Sequence, residues 1–323
     1  MVSDNLARRF LHVNLNCESM QATEELYSGV LGLSARMRTD PNVATNGAML
    51  GIEDETYCST VFFYDVRGPR DGCALEAIAF QSPALERDQR TDPTRPGIRA
   101  ALIWVADLDT AVGALGEAGV PVGEPVDGLI SGAKSVLALD PDGVVIELAQ
   151  APSDLDASAG ALFSGIRIAA IDILATAQFL TAIGFAEVEA PTTVPVSANQ
   201  LAPGGSADSV ECVVARFALP EDEQQFTVTV VQHPETATDS PVPWGGNRQG
   251  LYRCALRVEN VRTALAAVPN SVEQMGDVVW CPLPGTKIDG LYIAFLRSPD
   301  GVVFEFVERP LKLFNGSRRP PVT

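Results

Sequence analysis

The feature that most constrains this chain is that it repeats itself. The segment DPDGVVIEL at 140–148 returns as SPDGVVFEF at 298–306. Each is a tight Pro-Asp-Gly turn feeding an apolar strand that a single Glu interrupts. Upstream, GIRAALIWVADLDTAV from Gly97 is echoed by GLYRCALRVENVRTAL from Gly250. The opening HVNLNCESMQATEELYSGVLGL from His12 is echoed by GIRIAAIDILATAQFLTAIGF from Gly165. Self-similarity of this kind marks a duplicated unit rather than one continuous core. Residues 1–150 and 161–310 therefore read as two copies of one domain, with a small, polar linker at 151–160 and a tail at 311–323.

Each copy divides again. The order strand, helix, several strands runs from Leu11 to Gln81, from Arg99 to Gln150, from Ile166 to Gln232 and from Tyr252 to Val307. The first helix is expected to start after Ser19 as N-cap, with Met20, Thr23, Leu26 and Tyr27 at helical spacing and Gly29 or Gly32 ending it. Helices near 108–118 and 261–268 follow strands that end in Asp107 and Asn260, both good caps. The fold class is α+β, with four βαβββ modules in two pairs.

Composition narrows the function. A chain that is 46% hydrophobic and 20% charged is globular rather than disordered. No run approaches the ~18–20 uncharged apolar residues of a membrane helix, and the N-terminus lacks a basic-then-apolar leader, so a cytoplasmic protein is expected. Forty-one acids against 23 Lys plus Arg give a net charge of −18. That balance repels nucleic acid and anionic membranes and tolerates neutral or cationic small ligands. The locally basic tail reads as a solvated end. The six cysteines form no CxxC pair and read as reduced core thiols rather than a zinc site.

The segments HVNLNCESMQATEELYSGVLGL and VADLDTAVGALGEAGV and both PDG-x-x-x-E turns resemble the vicinal oxygen chelate superfamily of glyoxalases, extradiol dioxygenases, methylmalonyl-CoA epimerases, fosfomycin-inactivating enzymes and bleomycin-resistance proteins. The resemblance extends to about Pro310. It implies two domains with open, cup-shaped sheets, each cup made by two modules, with metal ligands on the first and last strand of each module. The matching positions are His12 and Glu76, Ala100 and Glu147, Gly165 and Thr227, Arg253 and Glu305.

If neighbouring modules pair, His12, Glu76 and Glu147 form the catalytic triad and the ligands of a divalent metal (Fe, Mn, Ni, Co or Zn). Without metal the same groups form a polar network or an acid–base pair. If the pairing is exchanged between the halves, His12 and Glu76 face Arg253 and Glu305, and Glu147 faces Gly165 and Thr227, which dismantles the triad. Arg253 cannot ligate a metal because it stays protonated, and is expected to pair with Glu305.

Asn14 and Asn16 share the His12 face of the first strand by period-two alternation, and are expected to orient substrate together with Arg253. Trp104 is either a stacking wall for a planar ligand or a core indole. Arg167, Arg253 and Arg257 would receive an anionic group if all three faced the second cup. His233 reads as a loop residue. The leading expectation is an enzyme acting on a small oxygenated metabolite by isomerase, lyase or dioxygenase chemistry, with a role in secondary metabolism. The rivals are a sequestering protein of the bleomycin-resistance kind and a metal-free acid–base tailoring enzyme. The small molecule is the expected partner, and the chain is a monomer or a homodimer.

Overall fold

The computed structural model describes residues 5–52, 55–87, 92–222, 225–282 and 290–311. The tail at 312–323 lies outside the described residues. Four modules follow one another. The first holds β1 (Arg9–Asn16), α1 (Met20–Glu24), β2 (Ser34–Arg38), β3 (Tyr57–Tyr64), the single turn α2 (Gly68–Asp71) and β4 (Ala74–Ser82). The second holds β5 (Gly97–Val105), α3 (Leu108–Glu117), β6 (Val126–Asp127), β7 (Lys134–Leu139) and β8 (Val145–Gln150). The third holds β9 (Leu162–Ala169), α4 (Ile173–Ile183), β10 (Ala186–Ser197), α5 (Ala198–Leu201), β11 (Ser209–Ala218) and β12 (Thr227–Gln232). The fourth holds β13 (Gly250–Val258), α6 (Val261–Ala267), β14 (Glu273–Gln274), β15 (Val279–Pro282), β16 (Gly290–Arg297) and β17 (Val303–Glu308).

The helices begin where side-chain acceptors allow. Ser19, Asp107, Asp172 and Asn260 each accept a backbone N–H of the first turn. The first helix departs from a plain α-helix: after Glu24 it widens into π turns through Val30, and the Leu31 N–H reaches back five residues to Leu26 O at 2.9 Å. In the two PDG turns, Gly143 and Gly301 stand at φ +78° and +85°, where a side chain would be strained.

The modules pair by exchange. One curled sheet runs β14-β16-β17-β13-β1-β4-β3-β2, with β15 beside β16, and so joins the first module to the fourth. The other runs β10-β11-β12-β9-β5-β8-β7-β6 and joins the second to the third. The seams are antiparallel, β1 against β13 and β5 against β9. Alternation then sorts the side chains. Val13, Leu15, Leu75, Ala77, Cys254, Leu256, Phe304 and Phe306 enter one large core shared with the helices and the second sheet. Phe10 and Phe163 both pack on Phe226 there, at ring separations of 4.3 and 5.1 Å. The opposite faces form two separate hollows.

Carboxylates tie the two sheets together in equivalent pairs. Phe163 N–H donates to Asp65 Oδ2 at 3.1 Å, and at the matching place Phe10 N–H donates to Asp222. The PDG carboxylates behave likewise. Asp142 accepts from Glu18 N–H at 2.8 Å and Asp300 from Ile171 N–H at 2.7 Å, each gripping the residue just before a helix cap in the other sheet. These carboxyl oxygens satisfy backbone donors that the strand ladders leave over.

Candidate active site

In the first hollow the register does the positioning. Asn14 lies opposite both Glu76 on β4 and Arg253 on β13, while Ala255, two residues along from Arg253, lies opposite Glu305 on β17. Residues in register share a face, so His12, Glu76, Arg253 and Glu305 converge at the middle of the sheet. Arg253 bridges the two acids: Nη2 donates to Glu76 Oε2 at 2.9 Å, and Nε lies 3.0 Å from Glu305 Oε2. His12 Nε2 lies 3.2 Å from Glu76 Oε2 and 4.0 Å from Glu305 Oε2. The four side chains are 8–14% exposed, which leaves the cluster a narrow contact with solvent.

Burial works against the charge of Arg253, but the Glu305 and Glu76 carboxylates outweigh it and hold its pKa above the ordinary arginine value. With a neutral imidazole the cluster therefore carries one net negative charge. Phe62 stands edge-on to His12 at 5.4 Å, and the Phe295 ring lies 6.0 Å beneath the Arg253 guanidinium. Asn14 Nδ2 donates weakly to Glu76 O at 3.4 Å, and among the described residues its buried Oδ1 has no donor.

The exchange of modules overturns the expected triad. Glu147 lies in the other sheet, buried, where it accepts from Ile130 N–H at 3.0 Å and Ser131 N–H at 2.7 Å. It anchors a loop, which explains why a lone carboxylate survives among Ala100, Gly165 and Thr227. That second hollow is filled. Ala100, Leu102, Val126, Ile130, Leu137, Val145 and Ala149 pack together there, with half-buried Trp104 against them. The three arginines do not meet either. Arg167 donates to Gln200 O and Leu201 O at 3.2 and 2.8 Å in the second sheet, and burial lowers its pKa to about 10. Arg257 is held by Glu221 and Glu259 at 2.7 and 2.5 Å.

Asn16 Nδ2 donates to Gly246 O and Arg248 O at 2.8 and 2.6 Å, fixing the loop before β13, while its buried Oδ1 has no donor among the described residues. His233 accepts from the Glu235 N–H at 3.1 Å in its own turn, and burial lowers its pKa. The cysteines are free, as read from the sequence. Burial pushes the Cys254 thiol, behind Arg253, well above the usual range.

The family frame implies a divalent ion held by four side chains, and the residues do not fit one. The guanidinium stands at the fourth position and already contacts the Oε2 atoms of both carboxylates, the atoms an ion would take. Among the described residues no three His, Cys, Asp or Glu side chains are arranged to hold a metal. None of the described helices is long and apolar enough to cross a membrane.

Residues 9–148 match the family model described as the Glyoxalase/Bleomycin resistance protein/Dioxygenase superfamily. None of the curated proteins matches this sequence. Among solved structures, glyoxalase I from Zea mays is similar with a TM-score of 0.65 at 16% identity, covering 94% of this chain and 92% of that one. A Bacillus subtilis protein described as a candidate dioxygenase is similar with a TM-score of 0.61 at 14% identity, covering 98% and 93%. At these identities the likeness establishes a shared fold across nearly the whole chain.

Proposed function

Because residues 9–148 belong to the Glyoxalase/Bleomycin resistance protein/Dioxygenase superfamily, we propose that this chain is an enzyme of the vicinal oxygen chelate type in which a guanidinium stands at a metal-ligand position. The observation that carries the reading is Arg253 bridging Glu76 and Glu305 beside His12, with all four side chains nearly buried. Two carboxylates around one guanidinium, in a chain of net charge −18, disfavour an anionic substrate. The carboxylates accept hydroxyls, and the guanidinium donates to a carbonyl oxygen. The substrate is therefore a small oxygenated molecule such as an α-hydroxyketone.

The reaction this geometry supports is proton transfer next to a carbonyl. His12 Nε2 takes the C–H proton, and the electron pair moves onto the carbonyl oxygen as an enolate. Arg253 faces the developing oxyanion, while the new imidazolium lies between two carboxylates. Glu305 takes the proton of the neighbouring hydroxyl and returns it to the former carbonyl oxygen. His12 then gives its proton to the adjacent carbon. Every proton is returned, so the product is an isomer and no oxidant is consumed. Asn14 Oδ1, which lacks a donor among the described residues, supplies a further acceptor for a substrate hydroxyl.

Hydroxyacetone in D₂O tests this by proton NMR. Enzyme-dependent loss of the CH₂ signal is expected, abolished by His12→Gln with the far-UV spectrum unchanged. Wash-out equal to the buffer rate refutes the reading, and a bound ketone returned undeuterated is the result for a sequestering protein.

A further inference from the structure

We infer that Phe62 is a positioning residue for the proposed reaction: it sets the plane of the His12 imidazole and holds Nε2 toward the two carboxylates. The inference rests on His12 acting as the base, and it names what aims that base.

The backbone leaves the imidazole room to lean either way. Its partners in register are both alanines, Ala74 on β4 and Ala255 on β13, and residues in register share a face. Beyond Ala255 stands Glu305 on β17. Beyond β4 stands Phe62 on β3, in register with Glu76. Hydrogen bonding does not fix the ring. His12 Nε2 is buried and has no hydrogen-bond partner among the described residues, although Glu76 Oε2 lies 3.2 Å away. The outer torsion of a histidine is broad, so packing has to choose the ring plane. Phe62 supplies that packing. The two rings lie 5.4 Å apart with their planes at 81°, and such perpendicular pairing favours one arrangement by roughly two- to tenfold.

Phe62 is braced in turn. The Tyr64 ring, two residues along the same strand face, stacks on it at 6.4 Å with 17° between the planes. Tyr64 Oη donates to Met37 Sδ at 3.9 Å. Met37 lies on the edge strand β2 at φ +52°, in the register shift between Arg36 and Arg38. A residue with a side chain is uncommon at that φ, and bulges of this kind re-aim a side chain. Met37, Tyr64, Phe62 and His12 thus make one row from the sheet edge to the charged cluster. With Phe62 shortened, the imidazole can fold over Ala74 toward β3 and carry Nε2 away from Glu305. Phe62 has no proton to give or take, so its removal changes the aim of the base and not its chemistry.

Histidine NMR and deuterium exchange together test this. The chain has two histidines, so labelled imidazole carbons give one signal for His12 and one for His233, assigned with His12→Gln. Phe62→Leu is expected to move the His12 signal and leave His233 in place. In hydroxyacetone it should lower kcat for exchange about tenfold with KM unchanged, since Phe62 acts through His12. Phe62→Tyr, which keeps the ring, should restore both readings. An unmoved His12 signal in Phe62→Leu overturns the inference, and so does a moved signal with exchange at the wild-type rate. A raised KM with kcat unchanged makes Phe62 a substrate contact and overturns it as well. Absence of exchange in the wild-type chain removes the reaction and the positioning role with it, while the His12 signal still reports the ring contact.

Discussion

Replacing Arg253 by Ala strands two carboxylates. Nη2 and Nε lie 2.9 and 3.0 Å from Glu76 Oε2 and Glu305 Oε2, and both acids are 9% exposed. At an effective dielectric of ~20 each contact is worth about 5–6 kcal/mol before desolvation is counted. Burying three charges opposes most of that, and breaking a buried pair from one side typically costs about 3–5 kcal/mol. Arg253→Ala is therefore expected to lose about 3–5 kcal/mol near pH 8 in urea unfolding followed by circular dichroism. Removing all three charges together, as Arg253→Met with Glu76→Gln and Glu305→Gln, should recover most of the loss. A deficit below about 1 kcal/mol, or a triple variant no more stable than the single one, would refute the idea that charge pairing holds this cluster.

Arg253→His places an imidazole at the fourth family position and should give a chain that retains stoichiometric Ni²⁺ or Zn²⁺ after dialysis, by elemental analysis; no retained ion would mean that Arg253 is not what closes the site to metal. Burial raises the pKa of Asp140 and Asp222 to about 7 and of Asp300 to about 6. Acids raised in the folded state contribute stability below their unfolded values, which is lost as pH climbs through the folded ones, so the melting temperature should fall between pH 5 and 8 by the equivalent of a few kcal/mol. Asp222→Asn should flatten that slope, and an unchanged slope would contradict it. Glu147→Gln should cost about 1–3 kcal/mol by weakening the Ile130 and Ser131 contacts, yet leave deuterium exchange in hydroxyacetone at the wild-type rate. Lost exchange in that variant would return Glu147 to the reaction centre.

Local features were legible because local chemistry sets them. Ser19, Asp107 and Asn260 cap helices by bonding donors three residues away, and the PDG turns need only their glycine. His12, Glu76, Arg253 and Glu305 were singled out by the family resemblance, and the structure brings the four together. Which of them meet was not legible, because β1 pairs equally well by hydrophobic alternation with β5 or with β13. Charge balance held a usable signal. Pairing the first module with the fourth sets Arg253 against two carboxylates, whereas pairing it with the second gathers three acidic or imidazole groups with no cation. The inter-sheet carboxylates Asp65, Asp142, Asp222 and Asp300 escaped notice because their donors are backbone amides of distant strands, which no side-chain pattern announces.

The exchanged seam also sets an order of assembly. Modules two and three are neighbours in sequence, so their sheet closes over a short loop, whereas β1 must wait for β13 across more than two hundred residues of chain. On a ribosome the middle of this protein can fold while its opening strand is still unmatched. The Arg253 cluster comes into being last, when β17 delivers Glu305, and nothing short of the full circuit can make it.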